Sequence, residues 1–323
     1  MFVRRIECER QSIGDDDQAI HVNNSQKVTS VTWLQWKHGC ITFVTIVTLL
    51  TLFVKHDSVS TRARSGDRWA QWSGRCLPRL RWRGKRFAVF LDYDGTLTPI
   101  VDHPEDAWLS DSMRQVLREL AARVPVAILS GRDLDDVRRR VDLDGIVYAG
   151  SHGFDIAGPG FRREMGADYL VDLDMAEKEL HEPLDEISGA QLERKRFSIA
   201  AHYRNVTEND VPALTQAVEA VAARHRELRR IDGKKVFELL PAIEWDKGKA
   251  VMWLLEALAL ERENVRPIYI GDDSTDEDAF RALKERGVGI LVSEQPQSTA
   301  AIYSLKNPAE VEGFLRQLSV FFV

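Results

Sequence analysis

Five short apolar runs, at 87–91 (Phe-Ala-Val-Phe-Leu), 126–129, 146–149, 267–270 and 288–292, punctuate the chain from residue 86 onward. Amphipathic stretches separate them. Runs of this length suit buried strands, and helices of three or four turns fit between them, so this part must build a layered α/β fold. Met113, Val116, Leu117, Leu120 and Val124 recur at helical spacing. Further helices are predicted around 133–141, 247–260, 276–285 and 308–319. The stretch 162–242 reads differently, with a strand at 197–203, a helix over 210–228 and a strand at 236–240. Consecutive parallel strands rarely lie so far apart in sequence, which predicts a second domain inserted into the first. The expected boundaries are 84–161 and 243–323 for the core and 162–242 for the insertion.

Charge divides the chain again. Residues 1–83 carry 13 Lys+Arg against 7 Asp+Glu, whereas residues 84–323 carry 31 against 43. An acidic body argues against a nucleic-acid partner, whose affinity comes mainly from Lys and Arg meeting phosphates. Cys8, Cys40 and Cys76 all fall in the first part. Disulfides and thiolate metal sites are thereby excluded beyond residue 83.

Residues 1–83 are expected to be a disordered N-terminal extension. The uncharged run 40–54 would reach only about 22 Å as a helix, short of a bilayer core of roughly 30 Å, and threonines at 42, 45, 48 and 51 make it mildly polar. A membrane anchor is therefore a marginal alternative, and a partner-binding segment a third. Were the run to insert, Lys55, Arg62, Arg64 and Arg68 after it outnumber Lys27 and Lys37 before it. Either way the part from residue 84 onward is expected in the cytoplasm.

The chemistry gathers where apolar runs end. Asp92 and Asp94 follow the first run directly, and ligands of open parallel sheets collect at strand carboxyl ends. Two acids so close repel, and a divalent cation would relieve them. Asp92 could also attack phosphorus, with Asp94 as acid and then base; an acidic turn is the plainer reading. Ser130-Gly131-Arg132 ends the second run, where a hydroxyl and free N–H groups can hold a phosphoryl group, or where Ser130 simply caps a helix. Gly271-Asp-Asp-Ser-Thr-Asp-Glu-Asp278 ends a later run, and its acids suit either a metal or a helix start. Lys247 and Lys249 stand at a predicted helix start, unfavourable for cations unless an anion is near.

In this order the motifs DYDGT, SGR, a Lys before Gly-x-Ala, and GDDxTDED resemble the haloacid dehalogenase-like phosphatases. The strings LDYDGTLTPIV, AGSHGFDI, WDKGKA and YIGDDSTDEDAF narrow the resemblance to the trehalose-6-phosphate phosphatase family, over about residues 84–320. That resemblance implies a Rossmann-like parallel-sheet core with an inserted α+β cap. It implies Asp92 as nucleophile, Asp94 as general acid/base, and Mg²⁺ held by Asp92, the Asp94 carbonyl and Asp272 with Asp276 nearby. Ser130 and Lys247 would bind the phosphoryl group. Gly131, Arg132 and His152 from the core, with Glu193, Lys195, His202, Arg204, Lys234 and Glu238 from the cap, would bind substrate. Leu240 departs from the pattern, since the family usually carries Arg or Lys there. Rival readings are a phosphatase of another sugar phosphate and a silent sugar-phosphate-binding domain that regulates a trehalose-phosphate synthase partner.

Overall fold

The computed structural model describes residues 86–261 and 264–320; the extension and its apolar run 40–54 lie outside them. The chain runs through β1 (Arg86–Leu91), α1 (Asp111–Ala121), β2 (Val126–Leu129), α2 (Leu134–Val141), β3 (Val147–Gly150), β4 (Asp155–Gly158) and β5 (Phe161–Glu164). Next come α3 (Leu170–Asp185), β6 (Gln191–Lys195), β7 (Ser198–His202), α4 (Val211–Arg224), β8 (Leu228–Gly233) and β9 (Val236–Pro241). It closes with α5 (Lys247–Ala257), β10 (Val265–Gly271), α6 (Asp276–Leu283), β11 (Val288–Val292), β12 (Tyr303–Leu305) and α7 (Pro308–Val320).

Among the described residues the strands form two sheets. The larger has the order β12-β11-β10-β1-β2-β3-β4-β5, parallel except for the β4–β5 hairpin at one edge. Side chains alternate across a strand, and β1 is buried on both sides. Phe87, Val89 and Leu91 meet α1, α2 and α7 through residues such as Val116, Val137 and Leu315. Ala88 and Phe90 face the other way, onto Val251, Leu254 and Phe280 of α5 and α6. Each such aliphatic or aromatic burial contributes roughly 1.5–3 kcal/mol, which fixes the register of the central strands. With β1 between β10 and β2, the carboxyl ends of three strands converge and bring Asp92, Ser130 and Asp272 to one rim.

The smaller sheet, β6-β7-β9-β8, is antiparallel throughout. Leu173 and Leu180 of α3 and Leu214 and Val218 of α4 pack against Ile199, Phe237 and Leu239 on one of its faces. The helix expected over 210–228 stops at Arg224, because the His225 N–H closes on Val221 and the Leu228 N–H on His225, turning the chain into β8. The edge of the larger sheet also lies later than expected. β5 runs to Glu164 and pairs with β4, so a boundary at 161/162 falls inside a strand. Its sequence, Phe-Arg-Arg-Glu, carries no apolar alternation; the turn through Gly160, at φ +82°, sets the pairing instead. Leu240 packs in the core beside the larger sheet, at 1% exposure, so the departure from the family pattern at this position is an apolar contact. Among the described residues no helix is long and apolar enough to cross a membrane.

Candidate active site

Asp92 leaves β1 with its N–H on the Ile270 carbonyl, 2.9 Å away, and its carboxylate buried. Lys247, in the first turn of α5, donates to Asp92 Oδ1 and to Asp276 Oδ1, each at 2.7 Å. Gly248 allows this reach: a Cβ there would stand 2.5 Å from the Asp278 carbonyl oxygen, so α5 could not come so close to α6. Burial works against the charge of Lys247, but Asp276 and Asp92 outweigh it and hold its pKa well above that of an ordinary lysine. Burial also drives the Asp92 carboxyl well above its usual range; Lys247 pulls against this, while Asp276 and Asp272 add to it.

Asp276 is fully engaged. Oδ1 accepts from Lys247 and from Tyr269 Oη at 2.6 Å, and Oδ2 accepts the backbone N–H groups of Asp272 and Asp273, both at 2.9 Å. Against the cost of burial, these donors hold its carboxyl below the ordinary value. Asp272 is different. It receives a long hydrogen bond from Thr96 Oγ1, at 3.4 Å, and the ammonium of Lys234. Burial raises its pKa to about 6, with Lys234 opposing and Asp276 assisting. One oxygen each of Asp92, Asp272 and Asp276 fall within 4.8 Å of one another. Asp92 and Asp272 are buried carboxylates that share the end of the sheet with Asp276 and face one ammonium each, and such hard oxygen donors suit a divalent cation. Asp276 also accepts four hydrogen bonds and through two of them holds the Asp272–Asp273 loop.

Asp94 lines the same cleft. Arg132 grips it in a fork, Nε to Oδ2 at 2.8 Å and Nη2 to Oδ1 at 2.7 Å. The loop from Ser130 to Arg132 is laced to the next one: His152 N–H meets the Ser130 carbonyl at 2.9 Å and Ser151 N–H the Arg132 carbonyl at 2.7 Å. A Cβ on Gly131 would lie 2.8 Å from the His152 ring, so glycine is needed where that ring crosses. Ser130 is buried beneath the cleft, and its Oγ accepts the Arg132 N–H at 3.1 Å. Ser130 does not cap α2, the alternative role for it; Asp133 does, its Oδ1 accepting from Asp135 N–H.

The smaller sheet supplies the roof. Glu238 accepts from Lys195 on one oxygen and contacts His152 Nε2 with the other. Burial disfavours its charge, yet Lys195 and His152 prevail and hold its pKa far below the usual carboxylate range. His152 sits in the left-handed region, φ 58°, and its Nδ1 has no partner among the described residues. His202 Nε2 lies 2.8 Å from Glu193 Oε2, and Arg204 Nη2 donates to the Lys234 carbonyl at 3.1 Å. Asp92, Asp94, Gly131, Arg132, His152, Glu193, Lys195, His202, Arg204, Lys234, Glu238, Lys247 and Asp272 all line this one cleft; Ser130 and Asp276 lie behind its wall. Asp102, Gln191, Asn205 and Asp273 line it too. Asp102, Gln191 and Asn205 stand in polar segments without a distinguishing pattern, and only the fold brings them there, whereas Asp273 belongs to the acidic motif after the 267–270 run.

The trehalose-phosphatase family model matches residues 90–309. The probable trehalose-phosphate phosphatase 2 of Oryza sativa subsp. japonica is 44% identical over 263 residues, covering 73% of this chain and 69% of that protein. Among solved structures, the C-terminal domain of C. albicans trehalose-6-phosphate phosphatase matches with a TM-score of 0.66 at 23% identity, covering 73% of this chain and 93% of that one. A haloacid dehalogenase-like hydrolase from Bacteroides thetaiotaomicron matches with a TM-score of 0.54 at 17% identity, covering 72% and 100%. Both structural likenesses establish the shared fold.

Proposed function

We propose that this chain, which belongs to the trehalose-phosphatase family, hydrolyses trehalose 6-phosphate to trehalose and inorganic phosphate through an aspartyl-phosphate intermediate. The observation that carries the reading is the contact of Lys247 with Asp92 on a cleft whose opposite wall is polar and charged. A phosphate monoester needs a nucleophile, a proton donor for the leaving oxygen and dispersal of charge on the phosphoryl oxygens.

Asp92 is the nucleophile: one oxygen forms a bond to phosphorus as the bond to the sugar oxygen breaks. Asp94 gives a proton to that oxygen. As a carboxylate it then takes a proton from water, whose oxygen attacks phosphorus and frees Asp92. Lys247 draws charge from the phosphoryl oxygens, and Ser130 supports it from the loop below. Asp92, Asp272 and the Asp94 carbonyl would hold Mg²⁺, with Asp276 fixing the Asp272 loop, and the ion would supply Lewis-acid neutralisation of the phosphoryl charge. Glu193, Lys195, His202, Arg204, Lys234 and Glu238, on cap elements between residues 165 and 242, form the roof of a site for the sugar hydroxyls, with Gly131 and His152 of the core on its floor. The substrate would come from a trehalose-phosphate synthase, and the cytoplasm is the proposed site of action.

Phosphate release from a panel of sugar phosphates, with and without Mg²⁺, tests this. Trehalose 6-phosphate should exceed glucose 6-phosphate in kcat/KM by at least about a hundredfold, since a site built for hydroxyls rejects ligands that leave its polar groups unpaired. Similar rates on both sugars would remove the substrate assignment.

A further inference from the structure

Arg132 does not lie open to the cleft as a free phosphate ligand would. Its side chain is only 11% exposed, and its donors are committed. Nε and Nη2 fork onto Asp94, Nη2 also reaches the Pro104 carbonyl at 2.8 Å, and Nη1 meets Asp136 Oδ2 at 3.0 Å. The guanidinium lies over the Tyr93 ring, 5.5 Å from its centroid. Asp136 is anchored in turn, accepting from Arg140 Nε on Oδ2 and from Arg139 Nη2 on Oδ1, both at 2.6 Å. Arg140 is tied to the Glu105 and Ala107 carbonyls and stacks 4.8 Å from the centroid of Trp108. A chain of fixed groups thus runs from Trp108 through Arg140, Asp136 and Arg132 to Asp94.

We propose that Arg132 is a positioning residue for Asp94, with Asp136 as its anchor, and that the pair acts on departure of the sugar rather than on binding of phosphate. A bidentate fork fixes a carboxylate in plane and direction far better than a single contact does. Proton delivery to a departing oxygen demands that placement, since even a small misdirection is costly. The inference rests on the reading of Asp94 as proton donor.

Leaving-group dependence separates the roles. kcat/KM covers the steps through first cleavage of the ester, so later release of phosphate from Asp92 does not enter. A sugar alcohol needs a proton to leave; 2,4-dinitrophenolate does not. Asp94→Asn, Arg132→Lys and Asp136→Asn should be compared on trehalose 6-phosphate and 2,4-dinitrophenyl phosphate, with thermal melting of each variant. Asp94→Asn should lose at least about a hundredfold on the sugar ester and less than about tenfold on the aryl ester. Arg132→Lys should repeat that pattern at about ten- to a hundredfold, and Asp136→Asn more weakly, because an ammonium cannot fork and an amide holds the guanidinium less firmly. Equal losses on both esters for Arg132→Lys, beside a selective Asp94→Asn, would overturn the inference and make Arg132 a phosphate ligand. So would unchanged rates on both. Equal losses for Asp94→Asn would instead remove the reading of Asp94. Should Arg132→Lys fail to melt cooperatively, Asp136→Asn carries the test on the same criterion.

Discussion

The ammonium of Lys234, carried on the hairpin between β8 and β9, rests on Oδ2 of Asp272 at the end of β10. The roof of the cleft thereby places a positive charge beside the carboxylates that suit a cation. Lys234→Ala should therefore raise the affinity for Mg²⁺ in the absence of substrate, by about tenfold, since one competing charge near a protein surface is worth on the order of 1 kcal/mol or more. Isothermal titration checks it. Affinity equal to or weaker than that of the unmodified protein would show that the ammonium does not compete.

Asp92→Asn should keep the contact with Lys247 and the fold while lowering turnover at least about a thousandfold, because an amide cannot attack phosphorus. Phosphate release and thermal melting decide it together. Activity above about a tenth of the original in a well-folded variant excludes Asp92 as nucleophile.

Glu238 links pH to stability. Its carboxyl is held below its ordinary value of 4.5 by Lys195 and His152, so the folded protein binds this proton less readily than the unfolded chain. The stabilisation is thus complete above about pH 4.5 and is lost as pH falls further. Glu238→Gln should destabilise by about 3 kcal/mol at pH 7, the scale for breaking a buried pair. That difference should shrink on acidification to pH 3 in urea unfolding. A gap independent of pH would show that charge is not its source.

Gly95 adopts φ +81°, and a Cβ there would stand 2.0 Å from Asp272 Oδ2. Gly95→Ala should cost about 1–3 kcal/mol in urea unfolding and push Asp272 out of place, with weaker Mg²⁺ binding in calorimetry. Unchanged stability and unchanged affinity would show that the loop relaxes freely.

These residues differ in how visible they are before folding. Asp92, Ser130, Lys247 and Asp272 stand next to apolar runs or at a helix start, so strand ends and the order of motifs expose them. The fork of Arg132 on Asp94 and the reach of Lys234 to Asp272 join residues 38 apart in sequence, and tertiary packing alone creates them. The same cause hides β6 and β8. Gln-Leu-Glu-Arg-Lys and Leu-Arg-Arg-Ile-Asp-Gly are largely polar, and neighbouring strands decide their conformation. Ser130 and Asp133 are both good capping residues ahead of α2, and only the backbone geometry decides that Asp133 makes the cap.

The place of β1 between β2 and β10 has a consequence for synthesis. Residues 86–91 pair with 265–270, so one whole side of the central strand stays bare until the ribosome has made about 175 further residues. The smaller sheet, contiguous in sequence, can be completed in that interval, while the apolar edge of β1 waits as a template for unwanted pairing. Nascent chains stalled before Val265 should therefore engage chaperones, and release from them should coincide with emergence of β10. Asp92 and Asp272 first meet at that moment, so catalytic competence arrives late and all at once in the life of each molecule.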